Sequence, residues 1–557
     1  MGSRATAHAT VDPIAGGLKS DHSMASSKSL FILGLALAVL SPSVVGSFHF
    51  DDYYMLDDPV VQASSGWWEV FRLDRTRPLI YFTFWLNYQL GGVDPLGYHL
   101  FNLLLHLAVV WAAWRVFSEI ASERIAWLAT GIMALHPVQT EAVSYVFGRA
   151  TMLAALFCLL CWKAWIENRH GRAVVWFALA LLAKEEAAAF PIFLVAYEYA
   201  YRGHRGRPRP EWLRAWSIMF ALCAAAAARL VYVASVTPGA GALFDLGGIT
   251  PWSYLLTQAR VVWLYLRLLI VPVGLNFDRD VALSAGFDTV TLAAWAGLPA
   301  LIAVAGWRVR KHRAWFWLLG GLILLLPTSS FLPLGDLAAE RRLYLPLISL
   351  ALGLGALLAR APLPAGVIVL LVAGGLSAQR SLVYQTEESL WRNTAEKSPR
   401  KVRPQLQLAR ALGAAEPARH EEQLAVLERA QALAPSDAEV ATELGVFYLR
   451  KDDAARAEGL FAAAIESVGR TPAALTNWGA ARFMLGDRAS AVEAFRESLD
   501  QDPCFFDARN NLLAVYRREG DLALAARTAQ LPRDCRLPER QREALALARD
   551  EIASQQR

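Results

Sequence analysis

The chain has 557 residues, of which 55% are hydrophobic and only 19% charged, with a mean hydropathy of +0.30 and a net charge of +5. Soluble domains carry about 25% charged residues, so a wholly soluble globular chain is excluded. The basic residues sit in short clusters between apolar runs, the pattern that membrane topology produces, and no nucleic-acid partner is expected.

The averages hide a split. Residues 29–380 hold nearly all the long apolar runs, whereas 381–557 are rich in Ala, Arg, Glu and Asp like an ordinary soluble helical domain. The composition therefore predicts an all-α chain in two parts, one in lipid and one in water. Residues 1–28, polar and small, are expected to form a disordered cytoplasmic N-terminus. A transmembrane domain follows over 29–380 and includes a first outer loop at 47–97. A linker is expected at 381–401, helical repeats at 402–535 and a C-terminal tail at 536–557.

A span needs about 20 apolar residues. Eleven segments qualify or nearly do: 29–46, 98–118, 124–136, 149–166, 172–183, 187–201, 215–235, 289–307, 314–333, 342–359 and 362–380. The short ones suit tilted or broken helices inside a bundle. The loops Glu167–Arg172, Tyr201–Arg214 and Arg308–Arg313 are basic and are expected in the cytoplasm, while the loop 47–97 opens with Asp51, Asp52, Asp57 and Asp58 and is expected outside. An even number of crossings must separate the second and third basic loops. Segment 252–272, which carries Gln258, Arg260 and Arg267, is therefore expected to be re-entrant or to lie on the outer surface. Eleven crossings put the N-terminus inside and the repeats outside. The Ala- and Arg-rich composition points to a bacterial inner membrane, with the repeats in the periplasm.

The repeats have a period of 34. Gly445 and Gly479 are 34 residues apart, as are Asp453, Asp487 and Asp521, Ala457, Ala491 and Ala525, and Phe461 and Phe495. This is the tetratricopeptide period. The resulting solenoid is expected to present a concave face to a peptide or protein partner. Cys504 and Cys535 fall in this part and could form a disulfide if it faces an oxidising space. Cys158, Cys161 and Cys223 lie in apolar runs and are expected to pack there.

Ionisable residues at membrane depth are functional candidates by default. Four groups stand out, all on the predicted outer side. Asp51 and Asp52 follow the first span and could act as a general base or bind a metal. His136, Glu141 and Arg149 surround a Pro137 break, with Glu141 and Arg149 placed to pair. Lys184, Glu185 and Glu186 interrupt two apolar runs without a loop. Arg341 and Arg342 open the tenth span against the positive-inside bias, and the arginine fork suits a phosphate. Carboxylates and cations on one wet face suggest chemistry on an anionic, lipid-borne substrate. A divalent metal is possible but not indicated, because no third outer-loop ligand accompanies the acidic pair. No cofactor is required.

Several stretches together resemble the transmembrane-and-tetratricopeptide-repeat O-mannosyltransferases and their bacterial relatives. They are Phe50-Asp51-Asp52-Tyr53, Arg77-Pro78-Leu79, NYQLGGVDPLGYHLFNLLLH from Asn87 to His106, ALHPVQTEAVSYVFGRA at 134–150, LLAKEEAAAFP at 181–191 and AERRLYLPL at 339–347. The resemblance covers roughly residues 45 to 530 in order. It implies a C-type glycosyltransferase fold related to protein O-mannosyltransferases. It also implies an inverting enzyme that transfers a sugar, mannose foremost, from a polyprenyl-phosphate carrier to a protein Ser or Thr hydroxyl. By this resemblance Asp51 or Asp52 is the catalytic base, with Asp51 preferred. Arg341 and Arg342 hold the lipid phosphate, and Arg77, His136, Glu141, Arg149, Lys184 and Glu185 line the substrate site. Where that family often has SKES, this chain has Ala183-Lys184-Glu185-Glu186. An acceptor that is an envelope glycan or lipid, and a non-catalytic scaffold working through its repeats, are the alternatives.

Overall fold

The computed structural model describes residues 22–72, 75–236, 248–415, 417 and 419–555, and these form helices joined by loops and short 3-10 turns. The expectation for residues 1–21 lies outside the described residues; at 22–28 the chain is already helical, since the first helix runs His22–Leu40.

Seven helices among the described residues are long and apolar enough to cross a membrane: Lys28–Val45, Pro95–Ile120, Val146–Ile166, Pro210–Ser235, Thr289–Val309, Glu340–Leu358 and Leu363–Val383. The chain is a multi-pass membrane protein. The other four predicted segments are helical but shorter. His170–Ala183 and Arg313–Leu325 are apolar pieces, and Glu123–Leu135 has 13 residues. The 187–201 segment is broken into a 3-10 turn, an α-helix at Phe190–Ala196 and a π-turn at Tyr197–Tyr201. The segment expected to reach residue 333 stops at Leu325, because Pro327 cannot continue it, and the chain runs without helix to Ala339. Close approach through small residues binds the bundle. A Cβ on Gly355 would meet the Ala129 backbone at 2.9 Å, so Tyr344–Leu358 and Glu123–Leu135 pack nearly backbone to backbone.

The 252–272 segment is the helix Pro251–Ile270, opened by a Thr250–Ser253 capping box. One face is buried and pins the neighbouring loop. Tyr254 donates to the Thr328 carbonyl at 2.7 Å, Gln258 to that of Leu337 at 3.0 Å and Tyr265 to that of Ala339 at 3.1 Å. On the other side Arg260 donates to Ser284 Oγ at 3.0 Å.

The 381–401 stretch differs from the linker expected of it. It carries the helix Glu387–Lys397, capped by Thr386, and buries Leu390, Trp391 and Thr394. Its polar composition hides a helix with one apolar face. Trp391 shares a core with Tyr145, Phe277 and Tyr384, so the loops of the membrane part and the first helices after the last span are packed as one. The 536–557 tail likewise holds the helix Glu539–Gln555, which buries Leu545 and Ile552.

The 34-residue period has a direct physical basis. Asp453, Asp487 and Asp521 each cap the second helix of a hairpin, accepting from the backbone N–H of Arg456, Ser490 and Leu524. The glycines at 445 and 479 are set by packing: a Cβ would come within 2.5 Å of the Phe461 ring and 2.8 Å of the Phe495 ring respectively. Before each cap the backbone turns left-handed, at Gly486 (φ +86°) and Gly520 (φ +77°). The equivalent position of the preceding unit is Asp452, at φ +60°. Asp452→Gly is therefore expected to stabilise that hairpin by about 0.5–1 kcal/mol, read as a higher melting temperature of the full chain, whereas Asp452→Ala is expected to lower it.

The solenoid is tied down at both ends. At its start Arg403 reaches Asp278 and Asp336, and Arg400 reaches Asp280. At its end Arg536 pairs with Glu69 at 2.6 Å, the Glu539 N–H donates to Gln62 Oε1 at 2.5 Å and Tyr88 donates to Glu539 at 3.1 Å. Cys504 and Cys535 are joined by a disulfide that spans 31 residues and fixes this last stretch to the final repeat. Replacing both by Ala is expected to cost about 2–4 kcal/mol of repeat-domain stability, measured by thermal unfolding of the full chain with and without reductant.

Candidate active site

The acidic pair divides into two different groups. Asp52 is fully buried, and both its oxygens are occupied: Oδ2 accepts from the His49 N–H at 2.9 Å and Oδ1 from the Phe147 N–H at 2.7 Å. Burial pushes this carboxyl up to about 8, against the pull of those two donors. Asp52 thus ties the start of the 47–97 loop to the 145–148 turn. Asp51 is half-buried. Its Oδ2 accepts from the Tyr145 hydroxyl at 2.8 Å, and its own N–H donates to that hydroxyl at 3.2 Å. The preceding residue, Phe50, stands at φ +46° and ψ −107°, a strained setting for a residue with a side chain. Its ring is held between Trp391 and the Arg403 guanidinium.

Tyr145 connects the acid to the arginines. The Arg341 guanidinium lies 5.8 Å from the centre of its ring. Arg341 binds Glu141 twice, through its own N–H at 3.2 Å and its guanidinium at 2.6 Å, and Asp336 at 2.8 Å. Arg342 is buried and differs from its neighbour. It donates to the Asp336 carbonyl at 2.7 Å and to the Tyr254 hydroxyl at 3.4 Å, and no carboxylate pairs with it among the described residues. A buried cation with no carboxylate in ion-pair contact leaves room for an anion.

The other two motifs, at Arg77 and at 184–186, are held by ion pairs: Glu185 lies on Arg77 and Glu186 on Lys184. Arg77 binds Glu185 through two hydrogen bonds, one of them at 2.8 Å. Lys184 donates to Thr151 Oγ1 at 2.5 Å and pairs with Glu186 at 3.0 Å. Both cations lie within electrostatic range of Arg341. Arg77 also adopts the left-handed conformation, at φ +50°, so two non-glycine outliers flank the site. Arg77 and Glu185, with Thr76 and Arg229, line a groove of about 340 Å³ whose remaining walls are apolar, among them Leu181, Leu182, Leu222 and Leu230.

Two predicted site residues are not brought to this surface. Arg149 is fully buried and does not pair with Glu141. It donates to Asn102 at 2.9 Å, to Asn87 at 2.7 Å and to the Tyr98 carbonyl at 3.0 Å, between the rings of Phe84 and Phe101. Neutral oxygens and aromatic faces stabilise its charge, and it ties three helices together. His136 bonds the Leu269 carbonyl through Nε2 at 3.1 Å and accepts from the Val138 N–H through Nδ1, which spends both ring nitrogens on the Pro137 bend. Conversely, Tyr145, Asp336, Asp278 and Arg403 belong to the site and do not stand out in the sequence. The available signals were a tyrosine beside the Pro137 hairpin and an aspartate five residues before Arg341.

No protein-family model matches the chain. Among curated proteins it is similar to Protein O-mannosyl-transferase F38B6.6 of Caenorhabditis elegans, 27% identical over 355 residues that cover 57% of this chain and 49% of that one. It is also similar to Protein O-mannosyl-transferase Tmtc2 of Drosophila melanogaster, at 30% over 285 residues (45% and 30%), and to human Protein O-mannosyl-transferase TMTC4, at 26% over 456 residues (66% and 62%). The chain spans about half the length of the curated relatives it matches. Among solved structures, ArnT from Cupriavidus metallidurans bound to undecaprenyl phosphate overlaps at a TM-score of 0.36 and 13% identity, over 85% of this chain and 80% of that one. The yeast Tom70 structure overlaps at 0.25 and 15%, over 72% and 96%. At these scores the fold rests on the chain's own helices and repeats.

Proposed function

We propose that this protein is a membrane glycosyltransferase that moves a sugar, mannose foremost, from a polyprenyl-phosphate carrier to a Ser or Thr hydroxyl of a protein on the outer side of the membrane, with inversion. One observation carries the reading: the half-buried carboxylate of Asp51 is linked through Tyr145 to Arg341, beside Arg342, a buried arginine that forms no ion pair among the described residues. The names of the similar proteins support the same reading.

In this mechanism Asp51 takes the proton of the acceptor hydroxyl as its oxygen attacks the anomeric carbon. The bond from that carbon to the phosphate oxygen breaks, and the electron pair leaves with the polyprenyl phosphate. Arg342 and Arg341 stabilise the phosphate charge. Tyr145 orients Asp51, and Glu185 and Glu186 fix Arg77 and Lys184 at the rim. The apolar groove beside Arg77 suits an isoprenoid chain. The solenoid holds the acceptor protein above the site.

The reading also places the N-terminus in the cytoplasm and the repeats in the periplasm of a bacterial inner membrane. The basic loops and the Cys504–Cys535 disulfide, which needs an oxidising compartment, support that orientation. The test is purified protein incubated with radiolabelled polyprenyl-phosphate mannose, or its glucose counterpart, and a periplasmic extract. Label in protein supports the proposal. Label in glycan or lipid alone would change the acceptor, and no transfer from either donor would overturn the enzyme.

A further inference from the structure

Two carboxylates share the Arg341 guanidinium, and they are not equivalent. Glu141 has a side chain that is 0% exposed and takes both a backbone N–H and the guanidinium of Arg341. Asp336 is 22% exposed and sits in the non-helical stretch after Leu325, where the backbone is held at points, the Thr328 and Leu337 carbonyls by Tyr254 and Gln258 and the Asp336 carbonyl by Arg342, which leaves the carboxylate free to change partner. Its two oxygens point to different partners: Oδ2 accepts from Arg341 at 2.8 Å and Oδ1 from Arg403 at 2.6 Å. Arg403 opens the repeat domain in the helix Val402–Ala414 and has a second, independent hold on Asp278, with two hydrogen bonds of 2.6 Å each.

We propose that Asp336 is the resident counter-ion of the donor site: it neutralises Arg341 until a polyprenyl phosphate displaces it, and Arg403 then retains the displaced carboxylate. The inference rests on the reading of Arg341 as a phosphate ligand. Burial decides which carboxylate yields. Releasing Glu141 would strand a wholly desolvated charge, whereas Asp336 is partly solvated and keeps one arginine when it lets go of the other. Arg403 can receive it because Asp278 already holds that guanidinium in place. Burial alone would push the Asp336 carboxyl up, but Arg341 and Arg403 outweigh it and hold it well below the usual carboxylate range, so the exchange swaps one anion for another without moving a proton. Asp336 and Arg403 are positioning residues in this account. Because Arg403 belongs to the solenoid, the position of the repeats bears on how readily the donor phosphate enters.

The test is binding of sugar-free undecaprenyl phosphate to the purified full chain at fixed ionic strength. Asp336→Asn is expected to bind about tenfold tighter, because the competitor is gone, and Arg403→Gln about fivefold weaker, because Asp336 then has only Arg341. The double variant is expected to match Asp336→Asn, since Arg403 acts through the aspartate. Equal or weaker binding by Asp336→Asn, or tighter binding by Arg403→Gln, overturns the proposal. If Asp336→Asn does not fold, the Arg403→Gln measurement decides alone. Arg341→Gln separates the two layers of the argument: unchanged binding by that variant would remove the phosphate reading itself, whereas its loss together with an unchanged Asp336→Asn would remove only the counter-ion.

Discussion

Asp51→Asn is expected to abolish sugar transfer, with a loss of about 10²–10⁴-fold in kcat, while the protein keeps its fold and its donor affinity. The amide preserves the hydrogen bond from Tyr145 but cannot take the acceptor's proton. Asp52→Asn serves as the contrast. The carboxylate of Asp52 accepts one backbone N–H on each oxygen, and an amide offers one oxygen and sets its NH₂ against the other donor. That variant is expected to lose about 1–3 kcal/mol of stability and to lose activity only in proportion to the folded fraction. The pair is decided by measuring single-turnover transfer and thermal stability on the same preparations. Full turnover by Asp51→Asn would remove it as the base, and an inactive but fully stable Asp52→Asn would move the role one residue along.

Arg342→Gln is expected to carry the second largest effect. Among the described residues no carboxylate forms an ion pair with the buried guanidinium, so in the proposed mechanism its charge serves the phosphate of the donor and the charge that grows on it as the bond breaks. Charge-assisted hydrogen bonds contribute about 1.5–3 kcal/mol each, so donor affinity should fall roughly tenfold to a hundredfold, with a further fall in kcat. Arg342→Lys is expected to recover only part of this, since an ammonium cannot reach the Asp336 carbonyl, Tyr254 and a phosphate together. Steady-state kinetics over a donor range separate the two components. A variant with unaltered KM and kcat would show that Arg342 only braces the loop.

Much of the architecture was legible because its causes are local. Apolar run length marks spans, and the repeat is written as a cap: an aspartate every 34 residues, each accepting the N–H three residues ahead. The helix at Glu387–Lys397 was read as a linker because its apolar face is only a few residues wide and its partners, Tyr145 and Phe277, come from distant loops.

The site was legible in its charged motifs but not in its wiring. Asp51 and Tyr145 are 94 residues apart and Arg403 and Asp336 are 67 apart, and no periodicity encodes such a pair. Arg149 shows the reverse failure. Eight residues from Glu141, it reads in the sequence as that acid's partner at the rim. Its partners are instead Asn87, Asn102 and the Tyr98 carbonyl, 62, 47 and 51 residues earlier, which occupy all three guanidinium nitrogens inside the bundle.

The double anchoring of the repeats changes what their number means. Solenoid units touch only their neighbours, so such arrays ordinarily gain or lose members with little penalty. Here the array is a bridge with both abutments set in the same membrane part, Arg403 on Asp278 and Asp336 at one bank and Arg536 on Glu69 at the other. A bridge of fixed span admits one number of arches. One 34-residue unit more or fewer would lift an abutment, so the length of the array is set by the distance between its two footings on the membrane part and not by how many repeats it can accumulate.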